Sequence, residues 1–566
     1  MTHLSRRSLL GWMGGLTALG LAPAWAEERA GMTLGEPVPF DPDMVVARAR
    51  ALAAAAYEPP PPVAQEWLDL SYDAFRGIWF DTRHTLFRGT PGAVQAEFFV
   101  AGLYFPHKIG LNAVEKDHSR PIAFELRTFD TTDQFPALPE DGTGFAGFRL
   151  LGELEVEDRF QEYAVFQGAS YFRAIGRGLA YGLSARGLAL NTAGDGPEEF
   201  PVFRDFWIEA AEPGAPTVTV HALMDSPSVA GAFTFKITKG DTTVMDVASH
   251  LFPREDLSAA GIAPGTSMFL FNDINRTRFD DFREAVHDSD GLLMLNGAGE
   301  ALWRPLTNPK AVEVSAFGDT SPRGFGLMQR ARNPGDYNDL VAHYERRPSL
   351  WVEPVGDWGP GAVMLVEIPT DKEINDNIVA FWRPAEPLKA GEAHRFDYRL
   401  HWCAAAPVEG VVAPVIHSRT GARVFEDGRI FTIDYAAHPA LGPDPAQIET
   451  RVTTSAGEIS AQLLQVNPAT GGVRLDFTLK GDAPVSELRA ELWRNGRPVA
   501  GVWLNRWVRP WPLPRASSWR PRPRLCACRC RTSHFARLSE TRLHRVSAAR
   551  AGRRPCGRWS LSCLFA

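Results

Sequence analysis

Residues 217–252, "TVTVHALMDSPSVAGAFTFKITKGDTTVMDVASHLF", decide the fold of this chain. Three segments within them, 217–226, 232–238 and 242–252, alternate or run apolar for the length of a strand and then break near Pro or Gly. Residues 394–402, "HRFDYRLHW", repeat the pattern. We therefore predict an all-β chain in which residues 27–404 form a large antiparallel β-sandwich.

A second β-rich set follows a stretch rich in Pro, Gly and Ala at 404–414. Runs such as "RIFTIDYA" (429–436) and "GGVRLDFTLKG" (471–481) have the length expected of strands in an immunoglobulin-like domain. Asn495-Gly496 predicts a type I′ turn between two such runs. Because 566 residues are too many for one core, we expect a linker at 405–413 and an immunoglobulin-like domain at 414–510.

Two segments have helical spacing. One is the Ala-rich "MVVARARALAAAAY" (44–57), and the other is "DYNDLVAHYER" (336–346), which Pro348 follows. We expect a helix in each.

The first 26 residues resemble a twin-arginine export signal. Ser5-Arg6-Arg7 precedes a short apolar run that ends at Ala24-Trp25-Ala26, the pattern of a cleavage site. The run is shorter than the roughly 20 residues of a spanning helix, which disfavours an N-terminal membrane anchor. We therefore predict cleavage near Glu27 and a periplasmic location.

The far end of the chain, residues 515–566, has a different composition from the rest. It contains 13 Arg, no Lys and one acid, so it carries a formal charge of +12 while residues 1–514 carry −19. We interpret it as an unstructured, out-of-frame tail without function, with a basic anion-binding or membrane-binding arm as the alternative. It holds all the cysteines but Cys403, so no disulfide is possible within the body. The acidic body argues against nucleic acid as a partner.

The body carries no sequence signature of a cofactor: it has no glycine-rich dinucleotide loop, no Walker loop and no zinc motif. We expect neither a cofactor nor a metal site. Its aromatic and polar clusters instead favour carbohydrate, because aromatic faces stack on pyranose rings and charged groups bind hydroxyls. These clusters are Tyr171-Phe172-Arg173, Tyr181, Trp303-Arg304, Trp351, Trp358 and Trp382-Arg383.

Several long motifs resemble the osmoregulated periplasmic glucan biosynthesis proteins of the G/D type. They include "GASYFRAIGRGLAYGLSARGLALNT" (168–192), "EEFPVFRDFWIE" (198–209), "HDSDGL" (287–292) and "VEIPTDKEINDNIVAFWRP" (366–384), and the resemblance extends from about residue 35 to residue 509. It implies a large galactose-mutarotase-like β-sandwich followed by an immunoglobulin-like domain. It also implies a role in making β-1,2-linked glucans, with a β-glucan as ligand and the inner-membrane glucan synthase as a candidate partner.

The family is also similar to inverting endo-acting β-1,2-glucanases, which need two carboxyl groups roughly 6.5–9.5 Å apart. In "VHDSDGL" (286–292), Asp288 and Asp290 lie at the end of a predicted strand, and we expect only Asp288 of the two to serve the site, so the second carboxylate should come from elsewhere. "EINDN" (373–377) supplies a second carboxylate. By the resemblance, Asp376 is the general acid and Asp288 activates water, while Asp290 remains a supporting or turn residue. Such loop Asp and Asn residues are also routine turn formers.

The resemblance places Glu373 and Tyr344 in the cleft. For His287 two roles remain open: a hydrogen bond to a sugar hydroxyl or a neighbouring carboxylate, or a structural role. The residues expected to bind substrate are Glu373, Tyr344, His287, Trp303, Arg304, Trp351, Trp382, Tyr171 and Arg173.

Three functions remain open at this point. The first is an inverting endo-β-1,2-glucanase that trims or sizes periplasmic glucan. The second is a non-catalytic glucan-binding factor that assists the membrane synthase. The third is a sugar isomerase or lyase on a mutarotase-like sandwich, although such a site would need a His base with a Glu partner.

Overall fold

A computed structural model describes residues 31–89, 94–131, 137–408 and 412–509. The predicted export signal and the tail at 515–566 lie outside these residues. The α-helices of the described residues are α1 (Pro42–Ala54), α2 (Gln65–Leu68) and α3 (Tyr72–Arg76). Their strands are β1 (Val38–Pro39), β2 (Trp79–Phe80), β3 (Val94–Val100), β4 (Gly110–Glu115), β5 (His118–Pro121), β6 (Phe129–Asp130), β7 (Phe145–Glu153), β8 (Phe160–Gln167), β9 (Tyr171–Ala174), β10 (Ser184–Arg186), β11 (Ala189–Leu190), β12 (Val202–Glu209), β13 (Thr217–Asp225), β14 (Val229–Thr238), β15 (Thr243–Pro253), β16 (Ala260–Ser267), β17 (Phe269–Phe271), β18 (Val286–His287), β19 (Gly291–Leu295), β20 (Ala301–Pro305), β21 (Glu313–Thr320), β22 (Gly324–Met328), β23 (Ser349–Val355), β24 (Pro360–Glu367), β25 (Ile378–Pro384), β26 (His394–Cys403), β27 (Val415–Ala422), β28 (Arg429–Tyr435), β29 (Glu449–Thr454), β30 (Glu458–Val466), β31 (Val473–Lys480), β32 (Val485–Arg494), β33 (Arg497–Pro498) and β34 (Val502–Val508).

Two large sheets dominate the described part of the chain. The larger has sixteen strands in the order β1-β5-β4-β12-β13-β14-β15-β26-β23-β22-β19-β20-β34-β32-β29, with β33 beside β32. The second has ten strands in the order β21-β24-β25-β16-β10-β9-β8-β7-β3, with β11 beside β16. Most neighbours are antiparallel, and the exceptions are β4 with β12 and β20 with β34. The prediction of an all-β chain with antiparallel sheets is thus confirmed, while the galactose-mutarotase-like and immunoglobulin-like domain folds stay predictions.

The stretch 217–252 forms the centre of the larger sheet as the consecutive strands β13, β14 and β15. On one face Val220 pairs with Phe235, and both are fully buried in the main core. On the other face Leu223 and Phe252 pack under helix α1. The sheet therefore has both faces covered here, which explains why its strands contain apolar runs as well as alternation.

Helix α1 confirms the first of the two predicted helices. The side chain of Asp41 caps it by accepting a hydrogen bond from the amide of Asp43 (2.9 Å), and Pro42 occupies its first turn. Val45 and Ala49, four residues apart, are its buried positions.

The second predicted helix, at 336–346, is wrong. Only two short 3₁₀ turns form there, and Asn338 and His343 take left-handed φ angles of 55° and 50°. The carboxylate of Asp339 accepts hydrogen bonds from the amides of Val341 and Ala342 (both 2.8 Å). In a helix these amides would instead donate to backbone carbonyls four residues earlier. A side chain that competes for backbone amides thus overrides the helical spacing.

The strands after residue 414 belong to two different sheets. Strands β29, β32 and β34 extend the larger sheet through the pair Trp303–Trp503, and β27, β28, β31 and β30 form a separate four-stranded sheet. Asn495 and Gly496 have φ angles of 51° and 73°, as a type I′ turn requires, so that prediction is confirmed. The domain boundaries themselves stay predictions.

None of the helices in the described residues is long and apolar enough to cross a bilayer.

Candidate functional site

The candidate site is built around one extended segment, Ser267 to Phe269, at the junction of β16 and β17. The amide of Asp288 donates to the carbonyl of Met268 (2.9 Å), and the amide of Asn377 donates to the carbonyl of Ser267 (3.0 Å). Successive carbonyls of an extended chain point to opposite edges, so Asp288 and Asn377 flank this segment on opposite sides. Because hydrogen-bonded strands lie about 4.8 Å apart, their backbones are separated by roughly 9–10 Å.

The loop that carries Asp376 is held by two asparagine side chains. Asn377 accepts from the amide of Phe269 (2.8 Å) and donates to the carbonyls of Phe269 (3.0 Å) and Ile368 (2.9 Å). Asn308 accepts from the amide of Thr370 (3.0 Å) and donates to its carbonyl (2.8 Å). Both asparagines are buried. Asp376 therefore lies in a loop whose two ends are tied to neighbouring strands.

Asp288 follows β18 and is only 9% exposed. Its pKa is raised to about 6, mainly by burial, with Arg347 and Arg173 opposing the shift and the charge of Asp376 contributing to it. Arg347 pairs with it at 3.4 Å (Nε–Oδ1), and that carboxylate oxygen makes no hydrogen bond within the described residues. Asp288 is therefore largely ionised at neutral pH and is free to accept a proton from a bound molecule.

Asp376 is partly buried, and its Oδ2 atom has no hydrogen-bond partner among the described residues. Burial raises the pKa of Asp376, while the charges of Arg173 and Arg186 act in the opposite direction. Since Asp376 also acts on the pKa of Asp288, the two carboxyl groups lie within electrostatic range of each other. A raised pKa and an unbonded oxygen suit a carboxylic acid that donates its proton to a ligand.

Glu373 and Tyr344 belong to a network beside this pair. The hydroxyl of Tyr344 donates to Glu373 (3.1 Å), and Arg283 pairs with Glu373 (2.7 Å) and with Asp339 (2.9 Å). Burial raises the pKa of Tyr344, and the charges of Glu373 and Asp288 add to the shift. Tyr344 thus stays protonated and donates its hydroxyl hydrogen to Glu373.

His287 lies behind the site rather than in it. It is buried, stacks on Phe269 with ring centroids 5.5 Å apart, and shares a hydrogen bond with Gln329 (Nδ1–Oε1 2.8 Å). Burial lowers its pKa to about 4. Gln329 also donates to the carbonyls of His287 (2.8 Å) and Tyr344 (2.9 Å). His287 is therefore a neutral ring without a carboxylate partner in the described residues.

Strand β9 brings Arg173 and Tyr171 to the same region. Arg173 acts electrostatically on both Asp288 and Asp376. The ring of Tyr171 lies under the guanidinium of Arg186, 4.9 Å from ring centroid to Cζ. Arg186 is anchored in turn by Glu198 (2.7 Å).

The other four expected binding residues are parts of the protein core. Trp351 and Trp382 are fully buried, and Arg304 is 2% exposed and pairs with Glu367 (3.0 Å). Trp303 is 5% exposed and lies under the guanidinium of Arg330 at 3.5 Å. None of these four side chains offers an open face to a ligand in the described structure.

Asp290 has different neighbours from Asp288. Residues 288–290 lie between β18 and β19, so the rule that side chains two apart in a strand share a face does not apply to this pair. Burial raises its pKa to about 6, and the charges that oppose this shift come from Arg330 and Arg332. Asp376 is not among the groups that act most strongly on its pKa.

The sequence reasoning missed Arg186, Arg347 and Arg283. A signal was present for Arg186, which interrupts the apolar run at 183–190, because an arginine within a buried strand needs a partner. Arg347 and Arg283 lie in loops, where charged residues are common, so spacing alone could not single them out.

Within the described ranges, no group of three or more His, Cys, Asp or Glu side chains is placed to hold a metal ion.

Comparison with known proteins identifies the family. The model of the family described as "Periplasmic glucan biosynthesis protein, MdoG" matches residues 40–507. Glucans biosynthesis protein G of Vibrio cholerae is 48% identical over 477 residues, which cover 83% of this chain and 87% of that protein. The protein of the same name from Rhodopseudomonas palustris is 45% identical over 507 residues, covering 89% of this chain and 100% of that protein. A Shewanella relative of that name is 47% identical over 475 residues, covering 83% and 87%. The resemblance is thus confirmed, and the chain belongs to the periplasmic glucan biosynthesis protein family of the MdoG type.

Proposed function

We propose that this protein is exported to the periplasm and hydrolyses β-1,2-linked glucan internally with inversion at the anomeric carbon, which trims or sizes the glucan. The observation that supports the proposal is that Asp288 and Asn377, the chain neighbour of Asp376, flank one extended segment on opposite sides. Backbones roughly 9–10 Å apart leave room for two carboxyl groups at the 6.5–9.5 Å separation that an inverting glycosidase needs to admit a water molecule.

The two carboxyl groups take different roles because their surroundings differ. Asp376 has an unbonded oxygen and a pKa raised by burial, so it donates its proton to the glycosidic oxygen as the bond to the anomeric carbon breaks. Asp288 carries a partner cation, Arg347, and stays ionised near neutral pH, so it accepts a proton from the attacking water. Water oxygen bonds to the opposite face of the anomeric carbon, and the product has the α configuration.

Glu373, Arg173 and Tyr171, which are partly exposed, then serve as contacts for the glucan, and the buried Tyr344 holds Glu373 in place. The Tyr344 hydroxyl is held by Glu373, so its position is set before a ligand arrives. Because Trp303, Arg304, Trp351 and Trp382 are buried in the core, we assign them a structural role rather than direct contact with sugar.

The decisive experiment incubates linear β-1,2-glucan with the wild-type protein and with Asp376→Asn. The wild type should release shorter chains whose new reducing ends are initially α. Loss of one general acid should lower the rate about 10²–10⁴-fold, with binding retained because the amide preserves the shape of the side chain.

The control is Asn375→Asp, which adds a carboxylate one residue from Asp376 and leaves Asp376 in place. Its rate should remain within a few-fold of wild type. Initial β product would contradict inversion. Binding of glucan by a wild-type protein that never cleaves it would instead support the accessory factor of the membrane synthase.

A further inference from the structure

A concave pocket lies beside the candidate site, at the N-terminal end of β9. Two loops form its walls, residues 101–109 between β3 and β4 and residues 168–170 between β8 and β9. We call it the Tyr104 pocket. Its polar and aromatic lining comprises Tyr104, His107, Lys108, Gln167, Tyr171 and Arg204.

The lining offers hydrogen-bonding groups that the described residues leave unused. The Nδ1 atom of His107 is buried without a partner, and the side chains of Lys108 and Gln167 make no hydrogen bond there. Arg204, in contrast, is already bound to Asp225 (2.8 Å). A buried polar atom without a partner is costly, so a ligand hydroxyl that bonds His107 would remove this penalty.

Both walls also hold a non-glycine residue in the left-handed region. Leu103 has φ 46° and Ala169 has φ 45°. Backbone hydrogen bonds fix each of them, from the amide of Leu103 to the carbonyl of Trp67 (2.9 Å) and from the amide of Phe203 to the carbonyl of Ala169 (3.0 Å). Such strained residues persist where the surrounding structure holds them, and they concentrate at binding sites.

Tyr171 joins the pocket to the candidate site. It lines the pocket and begins β9, and Arg173, two residues further on, acts on Asp288 and Asp376. Residues two apart in a strand lie on the same face, about 7 Å apart. One chain of linked sugars can therefore reach from the carboxyl pair to the pocket.

We propose that the Tyr104 pocket binds a glucosyl unit of the glucan chain at a distance from the bond that is cleaved, so that affinity depends on chain length. This rests on the proposed function. Tyr104 is 51% exposed and offers its ring to the C–H face of a pyranose, while His107, Gln167 and Lys108 bond the hydroxyls. A neutral hexose fits better than an anion, because only one uncommitted cation, Lys108, lines the pocket among the described residues.

The test measures binding of a ladder of linear β-1,2-gluco-oligosaccharides by calorimetry, with Asp376→Asn as the parent so that no ligand is cleaved. Affinity of the parent should rise with length and reach a plateau once the chain spans both features. Adding Tyr104→Ala and Lys108→Ala should weaken binding of the long oligosaccharides about tenfold and leave the short ones unchanged. Lys236→Ala, at an exposed lysine on β14 that does not line the pocket, serves as the matched control.

The outcomes separate the two proposals. Equal affinity of the parent and the pocket variant for long chains would overturn the pocket proposal while leaving the glucan site intact. Equal losses for short and long chains would also overturn it, since the pocket would then act on the whole site. A folded parent that binds no β-1,2-oligosaccharide of any length would overturn both.

Discussion

At the scale of single residues, Asp288 and Asp290 are two residues apart and carry equally perturbed pKa values in different surroundings. Each is raised by burial from 3.8 to about 6, so the folded protein binds both protons more tightly than the unfolded chain does. The stability associated with each proton is complete below pH 4 and is lost as the pH rises through about 6. At neutral pH, both carboxylates therefore destabilise the fold.

We expect Asp288→Asn to raise the free energy of unfolding by about 1–2 kcal/mol at pH 7.5 and to change it little at pH 4, because the amide does not ionise. Turnover of glucan should fall at the same time, because a buried carboxylate that the reaction needs lowers the stability of the fold. Urea unfolding at the two pH values measures the first effect.

Asp290→Asn is the matched control for this prediction. It should give a similar gain in stability at pH 7.5, but turnover should persist because Asp376 is not among the groups that act most strongly on Asp290. An Asp288→Asn protein that is less stable than wild type at pH 7.5 would contradict a buried Asp288 carboxyl group with a raised pKa.

A second residue-scale prediction concerns Arg347. Its positive charge lowers the pKa of Asp288, so Arg347→Met should raise that pKa and move the low-pH limb of the rate profile toward higher pH. Rates measured from pH 4.5 to 8 test the shift. Arg346→Met is the control, since Arg346 donates to the carbonyl of Gly178 and should leave the limb unchanged. An unshifted profile for Arg347→Met would remove Asp288 as the group that titrates there.

At the scale of elements, the loop between β24 and β25 owes its position to Asn377. Replacement by Ala removes three buried hydrogen bonds and leaves their backbone partners unsatisfied, which should cost about 2–4 kcal/mol in the free energy of unfolding. Turnover should fall as well, because Asp376 is its neighbour in the chain. Thermal and urea unfolding, with the rate on glucan, provide the measurements.

Asn375→Ala tests whether the effect is specific to this clamp. Asn375 makes one side-chain hydrogen bond, to Thr370 (3.1 Å), and its loss should cost under about 1 kcal/mol. Equal costs for the two variants would show that the loop is not held through Asn377.

The same elements explain what sequence could and could not predict. Alternating apolar residues identified the strands at 217–252, because burial on one face has a period of two. Helical spacing at 336–346 misled, because Asp339 takes backbone amides that a helix would use. Asp288 and Asp376 came from the family resemblance, whereas spacing alone left them as possible turn residues. Asn377 and Arg347 act through long-range contacts that no local pattern contains.

The tryptophan clusters show the other limit of sequence reasoning. Trp303, Trp351 and Trp382 were expected to face sugar, yet the structure buries all three. An aromatic residue in a β-rich chain has the same local pattern in a core as in a cleft, so only the tertiary packing distinguishes the two.

At the scale of the whole molecule, residues on both sides of the predicted linker share one core. Trp303, Met328 and Trp351 pack with Ile433, Leu475 and Trp503 in the same apolar cluster. The indole of Trp503 donates to Ser418 (2.9 Å). Removing the C-terminal strands would therefore expose large apolar side chains of the first part of the chain.

We expect a chain that ends at residue 404 to aggregate or to be recovered in low yield, whereas a chain that ends at residue 514 should behave as the full-length protein does. Size-exclusion chromatography and near-ultraviolet circular dichroism compare the three. A monomeric 404-residue chain with native spectra would contradict the shared core and favour two independent units.

The placement of Asp288 and Asn377 on either side of one extended segment has a consequence for how the stereochemistry of such an enzyme can change. A retaining mechanism needs carboxyl groups only about 5–5.5 Å apart. Exchanging Asp for Glu alters reach by one methylene, but it cannot remove the strand that lies between the two backbones. Under the proposed mechanism, the intervening strand keeps the two backbones apart, so conversion to retention would require both side chains to turn toward each other or a carboxylate recruited from a different strand.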